Sequence, residues 1–557
     1  MLSDPFKSHF LFLILSFSLC VSQTLALNSV PEPDASALTY LWPLPSEFTS
    51  GNHTLSVDPD LSLAVAGIGG SSAILRAAFD RYRAIIFKHT SGISIFSRFT
   101  GRSSVYDISK LKIIVNSDNE ELQLGVDESY TLFVSKNDGK SIIGEATIEA
   151  NTVYGALRAL ETFSQLCSFD YGTKSVQIYK APWCIRDKPR FAFRGLLLDT
   201  SRHYFPIYVI KQIIESMSYA KLNVFHWHII DEESFPLEVP AYPKLWKGSY
   251  TKWERYTVED AYEIVKMPLF LFLDYFMWCV TGINVMAEID IPGHAESWGT
   301  GYPDLWPSTS CREPLDVTKN FTFDVISGIL TDMRKIFPFE LFHLGGDEVN
   351  TDCWSSTPHV KQWLQDRNMT AKDAYKYFVL KAQEIAISKN WTPVNWEETF
   401  NTFAENLNPR TVVHNWLGAG VCPKAVAKGF KCIFSNQGFW YLDHLDVPWN
   451  EVYTAEPLEG INDTSKQALV LGGEVCMWGE TADTSDVQQT IWPRAAAAAE
   501  RMWSRRDAIS TGNIALTALP RLQYFRCLLN RRGVQAAPVT NKYARRPPTG
   551  AGSCYEQ

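Results

Sequence analysis

From about residue 194 onward the chain repeats one pattern: a short apolar run ends in polar or aromatic residues, and a longer stretch follows. The runs are 195–198, 222–227, 283–287, 340–344, 392–395, 411–414, 431–434 and 468–472. Short apolar runs of this kind read as buried strands, and stretches such as 207–220 and 373–388, with apolar residues at helical spacing, read as the helices between them. Eight such units predict an α/β fold, a (β/α)8 TIM barrel, with its site at the C-terminal strand ends where the polar residues cluster. A doubly wound sheet also alternates strands with helices, but it leaves functional-looking residues beyond all eight runs without an explanation.

The pattern upstream is different. Runs 111–115 and 130–134 read as strands, and 74–86 and 152–166 as helices by their apolar spacing. They predict a small α+β domain over 27–187, with no acid pair of its own, that buttresses a catalytic domain over 188–557. Residues 31–35 are linker-like. Ahead of them an apolar run at 10–21 follows Lys7, and Thr24-Leu25-Ala26 offers a small-residue cleavage site. Residues 1–26 therefore read as a secretory signal peptide; the run is short for a membrane anchor. One stretch breaks the barrel pattern. Residues 267–281 are almost continuously apolar, yet too short, and with Asp274 too polar, for a comfortable membrane span. Three readings stay open: an altered coding sequence such as a retained intron, which we favour; a helix covering an interface; and a lid.

Composition narrows the class of protein. With 557 residues, 46% hydrophobic and 20% charged, the chain has ordinary globular make-up. A net charge of -9 argues against a nucleic-acid partner. Eighteen tryptophans and 23 tyrosines suit sugar-stacking surfaces, although a large core also uses them. Sequons begin at Asn52, Asn320, Asn368, Asn390 and Asn462, candidate glycan sites in a secreted chain. Of eleven cysteines, Cys20 falls in the leader. A lone cysteine such as Cys476 reads as a buried thiol. No CxxC or clustered His/Cys pattern suggests zinc, and neither metal nor cofactor is expected.

The strongest chemical signal is His343-Leu344-Gly345-Gly346-Asp347-Glu348, after the apolar run that ends at Phe342. Two glycines allow a tight turn and close approach, and two adjacent carboxylates then sit at a strand mouth. Mutual repulsion predicts that one of them holds its proton near neutral pH, as a glycosidase acid must. Taken alone, the hexapeptide also fits a metal site or a solvated turn.

Two more motifs agree with it in order and spacing: Arg194-Gly-Leu-Leu-Leu-Asp-Thr-Ser-Arg-His203 upstream, and Gly472-Gly-Glu-Val-Cys-Met-Trp-Gly-Glu480 downstream. Together with HLGGDEV they resemble the β-N-acetylhexosaminidases of glycoside hydrolase family 20, closest to the plant vacuolar or secreted enzymes, from about Trp42 to the C-terminus. Adjacent acids cannot easily approach a sugar from opposite faces about 5 Å apart, as an ordinary retaining pair does. The resemblance implies substrate assistance instead: the 2-acetamido oxygen attacks the anomeric carbon and forms an oxazolinium. It makes Glu348 the general acid/base and Asp347 the group that orients and stabilises the acetamide. Tyr441 holds the acetamido oxygen, although its phenol could be a plain core hydroxyl. Trp396, Trp416 and Trp478 wall the acetamide pocket and sugar floor; Arg194 takes O3 and O4, Glu480 takes O4, and Asp443 lies near O6.

Asp290 and His294, in Glu288-Ile-Asp-Ile-Pro-Gly-His294, read as an Asp–His pair supporting Glu348. His226 and His228 form an HxH that could hold metal, but we favour structural roles in the barrel interior, with Asp231 near the sugar or His294. By resemblance Cys311 pairs with Cys353, and Cys527 with Cys554. The resemblance implies exo-acting removal of terminal GlcNAc or GalNAc from N-glycans or chitooligosaccharides, in the vacuole or the apoplast, by a chain that forms a homodimer and has no stable membrane span. Two rivals stay open: a catalytically impaired sugar-binding protein of the same fold, if 267–281 is translated, and a two-carboxylate glycosidase without acetamide selectivity.

Overall fold

A computed structural model of the chain describes residues 38–89, 106–135, 144–265, 281–510 and 512–540. The leader, all of 267–281 except Thr281, and Cys554 lie outside them. Six strands open the chain: β1 (Glu47–Ala66), β2 (Ile108–Val115), β3 (Tyr130–Val134), β4 (Gly144–Ala150), β5 (Cys167–Asp170) and β6 (Ser175–Asp187). They form one mixed sheet in the order β1-β2-β4-β3-β6-β5. Helices α1 (Ala73–Ile86) and α2 (Val153–Leu166) pack on it. Each starts at a hydroxyl cap: Ser72 accepts from the Leu75 amide and Thr152 from the Gly155 amide.

The barrel follows, from β7 (Phe193–Asp199), β8 (Val224–Ile230), β9 (Asn284–Ile289) and β10 (Leu341–His343) to β11 (Thr392–Trp396), β12 (Val412–Asn415), β13 (Lys431–Phe434) and β14 (Val470–Met477). All pairings are parallel, and β14 closes on β7. Each of the eight predicted runs overlaps one of these strands. Because strand side chains alternate, every second residue points inward, and the interior fills in layers. The lowest is apolar: Phe193, Val224, Met286, Leu341, Val394, Val412, Ile433 and Leu471. Above it lies a polar layer of His226, Glu288, His343, His414 and Glu474, each fully buried. Gly195 makes room for this layer, since a Cβ there would sit 2.4 Å from a Glu474 carboxylate oxygen. The top layer is Leu197, Trp396, Tyr441 and Cys476.

The small domain docks at the bottom of the barrel. Glu128 ion-pairs there with Arg158 of its own domain and with Arg194 at the start of β7, each at 2.7 Å. Arg194 is fully buried, and it also donates to the Lys221 and Phe191 carbonyls at 2.9 and 2.7 Å. The expectation that Arg194 binds sugar is therefore overturned: its guanidinium is spent at the closed end of the barrel, against the domain interface.

Cys311 and Cys353 are joined, with Cα atoms 5.6 Å apart. Cys422–Cys432 is a second bond that the sequence reading did not assign. Cys527 is disulfide-bonded too. All five sequon asparagines are exposed. Among the described residues, no helix is long and apolar enough to cross a membrane.

Candidate active site

The site is built outward from the turn after β10. Gly345 and Gly346 have φ of +58° and +101°, and a Cβ on Gly345 would lie 1.9 Å from the Asp290 carboxylate. Only glycine permits both that conformation and that approach. The Gly346 amide donates to Asp290 at 2.8 Å, and the Tyr375 hydroxyl donates to the Gly346 carbonyl at 2.5 Å. This clamp sends Asp347 inward and Glu348 outward. The Asp347 side chain is 12% exposed and that of Glu348 is 60% exposed. Glu348 and His294, which face each other, have φ of +48° and +51°. Such backbone costs about 1–3 kcal/mol per residue and is held where surrounding contacts fix it.

The acids do not share charge as the sequence reading expected. Burial raises Asp347, and His294 and a bond from Asp290 lower it again without cancelling the rise. Burial and Asp347 push Asp290 well above the carboxylate range. Asp290 thus keeps the proton, donates it to Asp347 and leaves Asp347 anionic. Glu348, the expected general acid, is instead held below its usual value, first by the adjacent His294 imidazolium. The reason is His294 itself. Burial opposes its charge, but Asp290, Asp231, Glu348 and Asp347 outweigh burial and keep the imidazole cationic far above neutrality.

His294 is also paired differently. Its Nδ1 meets Asp231 at 3.0 Å, while its Nε2 lies 3.7 Å from Glu348 and 3.9 Å from Asp347. Asp231, not Asp290, sets its orientation, and Asp290 serves Gly346 and Asp347. Asp231 is held in turn by His228 at 2.8 Å, and His228 by Glu288 at 2.5 Å. Glu288 also accepts from the Trp396 indole at 3.0 Å. A continuous set of bonds therefore runs from the polar barrel layer to the acid at the mouth. His226, between Glu474 at 2.8 Å and Glu288 at 3.1 Å, is raised to about 9 because the two carboxylates outweigh burial. Two groups in this layer, His226–Glu288–His343 and His226–His414–Glu474, have the donor set and closeness of metal ligands, as do Asp290, His294 and Asp347 at the mouth.

Four aromatic rings cluster at the mouth, and the Tyr441 phenol among them feels the charge of Asp347. Trp416 lies parallel to Tyr441, 12° between planes and 6.2 Å between centroids; Trp478 is 6.0 Å from both Tyr441 and Trp396. Trp396 is buried and forms the floor, whereas Trp416 and Trp478 are half-buried walls. One carboxylate oxygen of Asp347 and one of Asp443 are buried without a hydrogen-bond partner among the described residues, as befits atoms awaiting a ligand.

Matches to known proteins decide the family. The family description "Glycosyl hydrolase family 20, catalytic domain" matches residues 191–506, and "beta-acetyl hexosaminidase like" matches 41–166. The chain belongs to glycosyl hydrolase family 20. It is 73% identical over 553 residues to beta-hexosaminidase 1 of Arabidopsis thaliana, across 99% of this chain and 100% of that one. Beta-hexosaminidase 3 of the same plant is 51% identical, across 93% and 94%. The chitobiase structure from Flavobacterium johnsoniae superposes with a TM-score of 0.75 at 27% identity, covering 89% of this chain and 73% of that one.

Within this family 20 barrel, the arginine at the mouth is Arg202. It lies beyond the C-terminal end of β7 and binds Asp199 at 3.0 Å, Asp231 at 2.9 Å and Glu233 at 3.0 Å, with Glu480 at 3.9 Å. Its guanidinium lies over the Trp478 ring. The sequence held the signal: Arg202 closes the same motif that Arg194 opens, and a barrel places chemistry after a strand rather than before it. Glu398 and Tyr375 were also missed, being single residues in a helix start and a helix face.

Proposed function

We propose that the protein is an exo-acting, retaining β-N-acetylhexosaminidase that removes terminal non-reducing N-acetyl-D-hexosamine, GlcNAc or GalNAc, by substrate assistance. The observation that carries this reading is the opposed placement of the two adjacent acids. Asp347 is buried near Tyr441 of the aromatic cluster, where an acetamide fits, and Glu348 is exposed at the rim, where a leaving-group oxygen departs. No second carboxylate then has to attack the sugar from the opposite face.

In this reading Asp347 accepts from the acetamido N–H and offsets the positive charge that grows as the acetamido oxygen bonds to the anomeric carbon. Asp290 holds Asp347 in place with its proton. Tyr441 donates to the acetamido oxygen, and Trp396, Trp416 and Trp478 enclose the methyl group. Arg202 takes over the sugar-hydroxyl role expected of Arg194: three of its five N–H donors go to Asp199, Asp231 and Glu233, which leaves others for O3 and O4. Glu480 and Asp443 take O4 and O6.

Glu348 must carry a proton to act as an acid, yet the free site keeps it ionised. Docking of a sugar removes water from its exposed face and favours the neutral form. Glu348 then protonates the departing oxygen and, as a base, draws a proton from the water that opens the oxazolinium. His294, held by Asp231, is the charge against which Glu348 is set.

Exposed sequons, disulfides and the predicted leader support a glycosylated protein of the secretory pathway, in the vacuole or apoplast, acting on N-glycans or chitooligosaccharides. A homodimer rests on the family resemblance and is tested by light scattering. The mechanism is tested with a 2-deoxy-2-fluoro glycoside, which traps covalent glycosyl-enzymes. We expect no adduct, together with rapid hydrolysis of aryl N-acetylglucosaminides; an adduct on Asp347 seen by peptide mass spectrometry overturns substrate assistance.

A further inference from the structure

Two glutamates follow Trp396 at the end of β11, and both are spent on Trp416. Glu397 is buried, and its carboxylate accepts the Trp416 and Leu417 amides at 2.8 and 3.3 Å and the Asn415 side chain at 2.5 Å. That fixes the Trp416 backbone. Glu398 takes the other end: its carboxyl accepts the indole N–H of Trp416 at 2.9 and 3.2 Å. A half-buried tryptophan at a cleft rim has two side-chain torsions free to turn, and here both ends of the residue are tied.

The cost of placing Glu398 there is visible. Its carboxyl is mostly buried, has no cationic partner among the described residues, and shares its surroundings with Asp347, Glu397 and Tyr375. Burial first, and Asp347 next, push it up to about 8. A carboxyl held against like charge for a single neutral hydrogen bond calls for a reason beyond folding, since an apolar residue would fill the space at lower cost.

The geometry points to Glu398 as a positioning residue that fixes the Trp416 wall and so limits the length of the N-acyl group the pocket accepts. This rests on the reading of the aromatic box as the acetamide pocket. With the indole N–H tied, the ring stays parallel to Tyr441 and the space beyond the acetyl methyl is closed. Untied, the ring can swing toward solvent and admit one or two more methylenes. A hydrophobic pocket typically discriminates a single methylene by about 10-fold or somewhat more, so the loss is measurable.

The test compares kcat/KM for aryl β-glucosaminides carrying N-acetyl, N-propionyl and N-butyryl groups. Glu398→Ala should lower the N-acetyl to N-butyryl ratio by ~10-fold. Glu398→Gln keeps an acceptor oxygen and should restore the ratio to within about twofold of the unmutated protein. Trp416→Phe, which has no indole N–H, should relax selectivity by itself, and adding Glu398→Ala to it should move the ratio less than ~2-fold further. An unchanged ratio in Glu398→Ala, a Gln variant as permissive as Ala, or additive effects in the double variant each overturn the assignment. If Glu398→Ala does not fold, Glu398→Leu, which fills the space without an acceptor, takes its place in each comparison. Should the unmutated protein hydrolyse plain glucosides as well as N-acetylated ones, the functional reading fails; a normal acetamide preference with an unmoved acyl ratio sinks only the role of Glu398.

Discussion

The two ends of the barrel each bury a carboxylate, and they treat it in opposite ways. At the bottom, Glu128 sits between Arg158 and Arg194; burial alone would raise it, but the two cations more than offset burial and hold it below its usual value. At the mouth, burial raises the pKa of Asp347, and His294 and the bond from Asp290 do not cancel that rise. The first arrangement has its charge matched within the fold. The second is left short of a partner, with one oxygen unsatisfied. A protein keeps such a deficit where a ligand completes it, and the two arginines of one motif mark the difference: Arg194 closes a structural pair with Glu128, while Arg202 gathers Asp199, Asp231 and Glu233 at the mouth.

The sharpest way to break this comparison is to neutralise each acid with its amide. Asp347→Asn should lower kcat/KM on N-acetylated substrates by roughly 10²–10⁴-fold, about 3–5 kcal/mol of transition-state stabilisation, whatever the leaving group. Its melting temperature should stay level or rise, because the mouth loses a buried charge whose desolvation outweighs what His294 and Asp290 return. Loss of folding alongside activity would show that Asp347 is structural. Glu128→Gln should do the reverse. It leaves two buried guanidiniums facing each other and should cost about 3–5 kcal/mol of stability, read by denaturant unfolding, while the fraction that stays folded retains its kcat. A stable Glu128→Gln protein would remove the contrast.

A smaller effect is expected from the arginine at the mouth. Arg202→Lys keeps one positive charge but loses the planar fork that reaches Asp199, Asp231 and a sugar together. We expect kcat/KM to fall by ~10–100-fold, about 1.4–2.7 kcal/mol, with KM carrying part of the change. Arg194→Lys should move stability and leave kinetics alone. Equal kinetic losses from the two substitutions would return a substrate role to the closed end of the barrel.

The sequence made some of this legible and hid the rest for physical reasons. Parallel strands buried on both faces leave continuous apolar runs, so the eight runs and the position of HLGGDE at the end of the fourth could be read directly. Strand ends are less sharply written. The run at 195–198 is in fact Phe193–Asp199, which puts Arg194 inside the strand and Arg202 beyond it. Contacts between strands are written less firmly: the sequence offered Asp290 as the partner of His294 and Asp231 as near the sugar or His294, and the structure joins His294 to Asp231. The position of the proton is harder still. It depends on Asp290, Asp347 and His294 together, and the dipeptide Asp347-Glu348 by itself carries no sign of Asp290. Cys422–Cys432 closes a single helix–strand connection, a pairing that spacing alone does not select among eleven cysteines.

The smallest effect tests whether the unfavourable burial of charge at the mouth reaches beyond Asp347. Glu398 is raised from an ordinary 4.5 to about 8, mainly by burial and then by Asp347. The folded protein therefore binds a proton there that the unfolded chain has already released. Between about pH 4.5 and 8 the folded state holds more protons, so this group makes stability fall as pH rises, and above 8 the loss is complete. Glu398→Gln does not titrate and keeps the bond to Trp416. Its melting temperature relative to the unmutated protein should be lowest near pH 4.5 and should climb through pH 8 by roughly 1–3 °C, a modest shift because a chain this long has a large unfolding entropy. In an Asp347→Asn background the climb should shrink, since one source of the raised value is gone while burial remains. A melting difference flat across that range would mean that Glu398 is ionised throughout, and that the mouth tolerates a second buried anion near Asp347.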